Sequence, residues 1–353
     1  MNNLILIQVV APDYRSKFFA HLEKKLGKRF CLYAGQCYFQ ESIQSDPNIN
    51  KKTISNRFLF NRSLLFQFGP HWCHIFTKDI IVLGLNPRII SHWIFLFLRA
   101  PLGLKTFVWG HAWPRKGANS ITTRIRYLMQ RLASGTITYS EAHKKELLAK
   151  YPKLRVLNAT NALYSQQEMG ELNRPLDEVK NIVYVGRLVA AKKPLFLVKA
   201  FHKLLHLDTN LIIVGDGPER EKINKYIEEN NLSLRVQLMG HINSFNQLKQ
   251  IYATSLVSVS PGYVGLSITQ SFAFGVPMLI SRNENHSPEI EVAKESSNAV
   301  FFETDNQNNF CLKMEEIFKL KKGFFEKRKR IADECKKHYT VEKMALPFTK
   351  LLK

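Results

Sequence analysis

Residues 255–280 read SLVSVSPGYVGLSITQSFAFGVPMLI, and their punctuation decides the fold class. Ser255–Val259 is an apolar run of the kind that suits a strand covered on both faces. Pro261-Gly262 breaks it. Gly265-Leu266-Ser267 then opens a helix that runs through Gln270 to Phe274, where Gly275 and Pro277 stop it, and Met278–Ser281 starts the next strand. A strand, a glycine-bearing turn and a helix start place free backbone N–H groups where an anion can sit. Taken alone, the stretch is equally a βα turn of any α/β domain.

Outward from this stretch the same alternation repeats. Toward the C-terminal side of the middle, strands are predicted at Asn181–Val185, Leu211–Val214 and Arg235–Met239, with helices over 193–207, 219–230 and 244–253. The first half carries strands at Leu4–Val10, Phe30–Ala34, Asp79–Leu83, Lys105–Trp109, Gly135–Tyr139 and Arg155–Leu157. Its helices are predicted over 16–27, from Pro87 to about Leu98, over Ser120–Ser134 and up to Lys150. Residues 36–72 read as a loop followed by one or two strands. Strands alternating with helices imply parallel pairing through crossovers, hence α/β architecture with doubly wound sheets. The polar stretch 164–180, YSQQEMGELNRPLDEVK, contains no strand pattern and is predicted to link two domains. The domains are therefore expected at 1–165 and 180–335, with a C-terminal helix, 336–353, packing back on the first.

A chain of 353 residues suits two cores better than one. The first apolar run ends too early, at Pro12-Asp13, for a signal peptide, and Ile89–Leu104 is too interrupted for a membrane span. Five scattered cysteines fit a reducing compartment. His71, Cys73 and His74 lie together without a second ligand cluster, so they read as ordinary loop residues. The net charge of +22 is uneven: residues 1–168 hold 24 Lys/Arg against 8 Asp/Glu, and the remainder 27 against 21. Such a field attracts a polyanion, whether nucleic acid, an anionic membrane surface or a phosphorylated acceptor. No nucleic-acid-binding motif accompanies it.

In an open α/β sheet, ligands sit beyond the carboxyl ends of the strands. Gly186-Arg187 follows one predicted strand, with Lys192 five residues on. Gly215-Asp-Gly-Pro218 follows a second, Gly240-His241 a third and Gly265-Leu266 a fourth. The ordered set GRLxxxK, VGDGP, Gly-Leu and then Ala273-Phe-Gly-Val-Pro277 resembles the donor half of retaining, family 4 glycosyltransferases of the GT-B architecture, two Rossmann-like domains facing a cleft. The first half is similar through Gly110-His111, Tyr139-Ser-Glu141 and Asn161, and the nearest type is the bacterial surface-polysaccharide enzyme. One departure stands out: Gly262 and Gln270 occupy the two glutamate positions of the family's E-x7-E motif.

The resemblance implies roles. Arg187 and Lys192 would neutralise the donor diphosphate as it leaves, with the N–H groups of Gly265, Leu266 and Ser267 beside them. The nucleobase would lie against Met239-Gly240, Gln270 would hold the ribose, and Glu289 is a candidate for the sugar hydroxyls. His111 would contact the sugar near the reacting carbon and, with Tyr14 and Arg15, form the acceptor side. Singly, Arg187 and Lys192 are also compatible with solvated surface cations, His111 with a hydrogen-bonded strand-end residue and Glu289 with an exposed loop acid. The function expected is transfer of a sugar from a nucleotide diphosphate to a lipid-linked glycan of lipopolysaccharide O-antigen or capsule. It would need neither metal nor cofactor, would involve no nucleic acid, and would take place at the cytoplasmic face of the membrane. A catalytically inactive binding partner is the rival in another class; a GT-B epimerase or phosphorylase is the rival chemistry.

Overall fold

The computed structural model describes residues 2–41, 43–114, 117, 120–170, 172 and 174–353. The chain divides into two compact units, Met1–Leu163 with Thr340–Lys353, and Tyr164–Tyr339.

In the first unit, apolar runs become strands because both of their faces are covered. The elements are β1 (Leu4–Gln8), α1 (Ser16–Leu26), β2 (Phe30–Ala34), β3 (Lys52–Thr53), β4 (Ser55–Leu59), β5 (Leu64–Phe68), β6 (Ile80–Gly84), α2 (Ile90–Arg99), β7 (Thr106–Trp109), α3 (Ile121–Leu132), β8 (Gly135–Thr138), α4 (Glu141–Lys150) and β9 (Val156–Asn158). Seven of the strands form one parallel sheet in the order β3-β2-β1-β6-β7-β8-β9. The central β1 and β6 bury almost every side chain, as an all-parallel sheet with helices on both faces requires. The region 36–72, predicted to hold one or two strands, holds three: the two-residue β3 joins the main sheet, and β4–β5 form an antiparallel hairpin outside it. Its turn, Phe60-Asn61-Arg62, holds three residues at positive φ without a glycine. Arg62 compensates by lying over the Phe58 ring at 4.0 Å and donating to the carbonyls of Phe39 and Tyr38. Helix α2 starts three residues after Pro87, because Asn86 first forms a turn with Ile89.

The final helix, Val341–Lys350, belongs to this unit. Val341, Met344, Ala345 and Phe348 are buried against α1 and the sheet, with the Phe348 ring 5.2 Å from Phe18 and 4.9 Å from Trp109. The crossing back falls at Thr340, later than the expected 336. Cys335 is buried in the second unit and the Tyr339 hydroxyl donates to Glu291, which hold residues 336–339 there.

The second unit runs β10 (Asn181–Val185), α5 (Pro194–His202), β11 (Leu211–Val214), α6 (Arg220–Glu229), β12 (Val236–Gly240), α7 (Phe245–Thr254), β13 (Ser255–Ser260), α8 (Ser267–Ala273), β14 (Met278–Ser281), β15 (Ala299–Phe302), α9 (Gln307–Lys319), α10 (Lys321–Glu326) and α11 (Arg328–His338). Its six parallel strands are ordered β12-β11-β10-β13-β14-β15, the doubly wound Rossmann order. Helix α5 ends at His202, not 207, because the chain tightens there into i→i+3 turns at Lys203 and Leu204. The 164–180 stretch, whose Glu171 and Asn173 lie outside the described residues, is not a free linker. Tyr164, Met169 and Leu172 are buried, and the Gly170 N–H donates to the Ala273 carbonyl at the end of α8.

Candidate functional site

The strand order of the second unit reverses between β10 and β13, and a doubly wound sheet binds its ligand at that switch point. Two loops meet there. The loop after β10 carries Gly186, Arg187 and Lys192; the loop after β13 carries Pro261 to Leu266. They are laced together by the Tyr263 N–H donating to the Ala191 carbonyl at 3.0 Å, and by Lys192 Nζ donating to the Tyr263 carbonyl at 3.1 Å. The Lys192 ammonium also lies 4.9 Å from the Tyr263 ring centroid. Close approach explains the glycines. A Cβ on Gly215 would lie 1.9 Å from the Gly186 carbonyl oxygen, and one on Gly262 would lie 2.5 Å from that of Ala191. The backbone of the β10 loop therefore fills the space that a side chain at position 262 would need.

Burial and the neighbouring Arg187 pull the Lys192 pKa down to about 8, while Glu289 acts in the opposite direction. Two cations held this near each other are relieved by an anion. Arg187 is exposed and Lys192 half-buried, so the pair is open to solvent on one side. Lys193 secures the loop from behind. Its backbone is left-handed, at φ 50°, and its Nζ pairs with Glu284 and Asp305, each at 2.6 Å.

Helix α8 is only two turns long, so what it brings to an anion is local N–H groups more than a macrodipole. Gly265 and Val264 are buried, with Leu266 and Ser267 half-buried. A residue that sequence reading missed fixes this turn. The Val264 N–H donates to His286 Nδ1 at 3.1 Å, and the opposite nitrogen, Nε2, is 2.9 Å from the Ser281 carbonyl. That carbonyl can only accept, so the ring is neutral with its hydrogen on Nε2. Burial lowers the His286 pKa, in keeping with that state. The Ser287 N–H returns the clasp by donating to the Val264 carbonyl at 2.9 Å.

Gln270 is buried, and its Nε2 donates to the Tyr164 hydroxyl at 2.8 Å. One of its two amide hydrogens is thus engaged within the unit, which leaves the other and Oε1. Tyr164 was not foreseen as a partner, because it stands as a lone aromatic at the head of a polar stretch. Glu289 is 3% exposed in the turn Pro288–Val292, which removes the exposed-acid reading. Met239 is exposed beside Gly240, whose φ of 70° turns the chain at the end of β12.

In the first unit, His111 follows β7 and is exposed. Its ring is 4.9 Å from that of Tyr139, and its carbonyl accepts from Arg126 Nη1 at 3.0 Å. Tyr14 is exposed, but Arg15 is buried. The Arg15 guanidinium lies 4.9 Å from the Trp109 ring and 5.2 Å from Tyr139, so it supports these rings from inside.

Two Rossmann-like units of this kind define the GT-B class of fold. More narrowly, residues 166–338, just under half the chain, match the family described as Glycosyl transferases group 1. An uncharacterized glycosyltransferase of Methanocaldococcus jannaschii is 28% identical over 109 residues, covering 30% of this chain and 28% of that protein. N-acetyl-alpha-D-glucosaminyl L-malate synthase of Bacillus anthracis is 24% identical over 124 residues, covering 34% of this chain and 32% of its own length. The chain thus matches less than a third of the length of either curated relative. Among solved structures, Anabaena HepE in complex with UDP superposes with a TM-score of 0.73 at 12% identity, over 100% of this chain and 99% of that one.

Proposed function

We propose that the protein is a glycosyltransferase that takes a sugar from a nucleoside diphosphate donor. The observation that carries this is the Arg187–Lys192 pair, held at the β10/β13 switch point beside the Gly265–Ser267 amides. In this reading the two cations and the amides receive the diphosphate, and their attraction grows as the glycosidic bond breaks and charge collects on the leaving group. Gln270 Oε1 accepts from a ribose hydroxyl, and the base lies against Met239-Gly240. Glu289 acts through Lys192, tuning its charge. UDP bound to the HepE neighbour supports a nucleoside diphosphate as the ligand. For the first unit, the resemblance supports a role for the exposed His111 in turnover. A lipid-linked glycan acceptor of a bacterial surface polysaccharide, at an anionic membrane surface on the cytoplasmic side, fits the basic first unit; retention of configuration and independence from metal rest on the resemblance.

The test is turnover with a panel of nucleotide sugars and crude lipid acceptor, read as nucleotide release. Arg187→Ala or Lys192→Ala should each lower it by on the order of 10²-fold, since each removes a cation from a developing charge. Near-normal rates in both variants would move the diphosphate elsewhere. The filled space at Gly262 favours one second reading, a binding partner without catalysis. Tight donor binding with no nucleotide release across the panel would select it.

A further inference from the structure

We propose that the outer face of α2 and α3 is a docking surface for an anionic lipid bilayer. Helix α3 buries Thr123, Met129 and Gln130 and turns Ile121, Ile125 and Leu128 to solvent, at 75%, 43% and 46% exposure. The exposed Arg124 and Arg131 lie on the same side, three and ten residues after Ile121. Helix α2 packs beside it and exposes Phe97 and Leu98, with Trp93 stacked on Phe97 at 5.8 Å and Leu102 exposed in the turn beyond. Scattered surface leucines need no explanation, but aliphatic and aromatic side chains gathered on two adjacent helices do.

Charge identifies the occupant. Residues 80–140 contain eight Lys/Arg and not one Asp or Glu. Arg99 and Arg126 are spent inside, on carbonyls of the strand-end loops. Arg124, Arg131 and Lys105 are exposed. An apolar strip edged by arginines and free of carboxylates is what an amphipathic helix presents to a negatively charged membrane, its side chains entering the acyl boundary while the cations meet headgroups. Nucleic acid would gain nothing from exposed isoleucines. Among the described residues no helix is long and apolar enough to cross a membrane, so the contact would lie in the interface plane. This deepens the membrane-surface part of the reading above and does not depend on the donor chemistry.

The experiment is co-sedimentation of the full chain with vesicles of phosphatidylcholine alone or mixed with phosphatidylglycerol, alongside calorimetric UDP binding. Wild type should bind only the anionic vesicles. Ile125→Asp with Leu128→Asp should weaken that binding at least tenfold, and Arg124→Gln with Arg131→Gln by about fivefold per arginine. Leu234→Asp, at a 91% exposed site of the second unit, should bind vesicles as wild type does. UDP affinity should be unchanged throughout, with circular dichroism confirming the fold. Absence of wild-type binding to anionic vesicles overturns both the face and the membrane reading. Undiminished binding by both double variants overturns the face alone. Preference for RNA over vesicles at equal salt, or a dimer that the aspartates dissociate, also overturns it. Loss of UDP binding in wild type would instead sink the donor site and leave this surface standing.

Discussion

At the scale of single residues, Lys192 is the group whose chemistry is most exposed to test. Its ammonium is disfavoured by burial and by Arg187, so in the free protein it titrates near 8, well below the ordinary 10.5. A bound diphosphate favours the charged form and raises that value. Above about pH 8, donor binding must therefore draw a proton from solvent, and affinity should fall as pH rises. Calorimetry in two buffers of different ionisation enthalpy should show proton uptake at pH 8.5–9 and almost none at pH 7. Lys192→Arg should bind without uptake, because a guanidinium stays charged throughout. Equal uptake in that variant would assign the proton to another group. The placement of Lys192 near Arg187 was legible in the sequence from its spacing to Gly186-Arg187. The depressed pKa of the lysine was not, since that depends on how far the loop is buried. His286 was equally invisible: nothing in Asn283–Glu289 announces that one imidazole will clasp the Val264 amide.

At the scale of elements, the strand–loop–helix unit from β13 to α8 was readable residue by residue, because Pro261, Gly275 and Pro277 punctuate it locally. What the sequence left out is long-range. The approach of the 191–192 backbone to Gly262, the bond from Gln270 to Tyr164 and the packing of 164–172 on α8 all join segments far apart in the chain. This bears on Gly262 and Gln270, which should respond in opposite ways to substitution by glutamate. In Gly262→Glu the new Cβ would meet Ala191 O at 2.5 Å and the Lys192 backbone at 3.0 Å. Backbone cannot swing away as a side-chain tip can, so the loop must shift and carry Lys192 with it. Overpacking of this kind costs about 1–3 kcal/mol, and donor affinity should drop roughly tenfold or more. Gln270→Glu keeps the shape, and the Tyr164 hydroxyl can donate to the carboxylate in place of accepting from the amide. Its donor affinity should stay within about threefold of wild type. A gain in affinity from Gly262→Glu would show that the loop yields at little cost.

At the scale of the whole molecule, the acid response of the first unit can be watched alone. All four tryptophans, Trp72, Trp93, Trp109 and Trp113, lie in it, so intrinsic fluorescence reports its unfolding. That unit buries His71 and His92 completely, and burial takes each pKa down to about 4. The neutral His92 ring has one N–H, which Nδ1 donates to the Gly84 carbonyl at 3.0 Å, while Nε2 lies 3.1 Å from Gln67 Oε1. His71 lies among Tyr33, Trp72 and Phe95, and neither of its ring nitrogens has a partner among the described residues. In the unfolded chain both histidines titrate near 6.5. Above that pH neither state binds the protons and stability is at its full value. Between about 6.5 and 4 the unfolded chain binds them first, so stability falls as pH falls, by up to about 3 kcal/mol for each histidine. Urea unfolding followed by tryptophan fluorescence should therefore show a midpoint that is flat from pH 8 to 7 and declines steadily from 6.5 to 4.5. His71→Leu removes one of the two titrations and both unpartnered nitrogens. It should make the decline shallower and raise stability at pH 7.5 by roughly 1–3 kcal/mol, the usual penalty of a buried polar group left unpaired. A leucine variant that is less stable than wild type at pH 7.5, with the same slope below 6.5, would mean that His71 is satisfied in solution and that the acid response belongs to other groups.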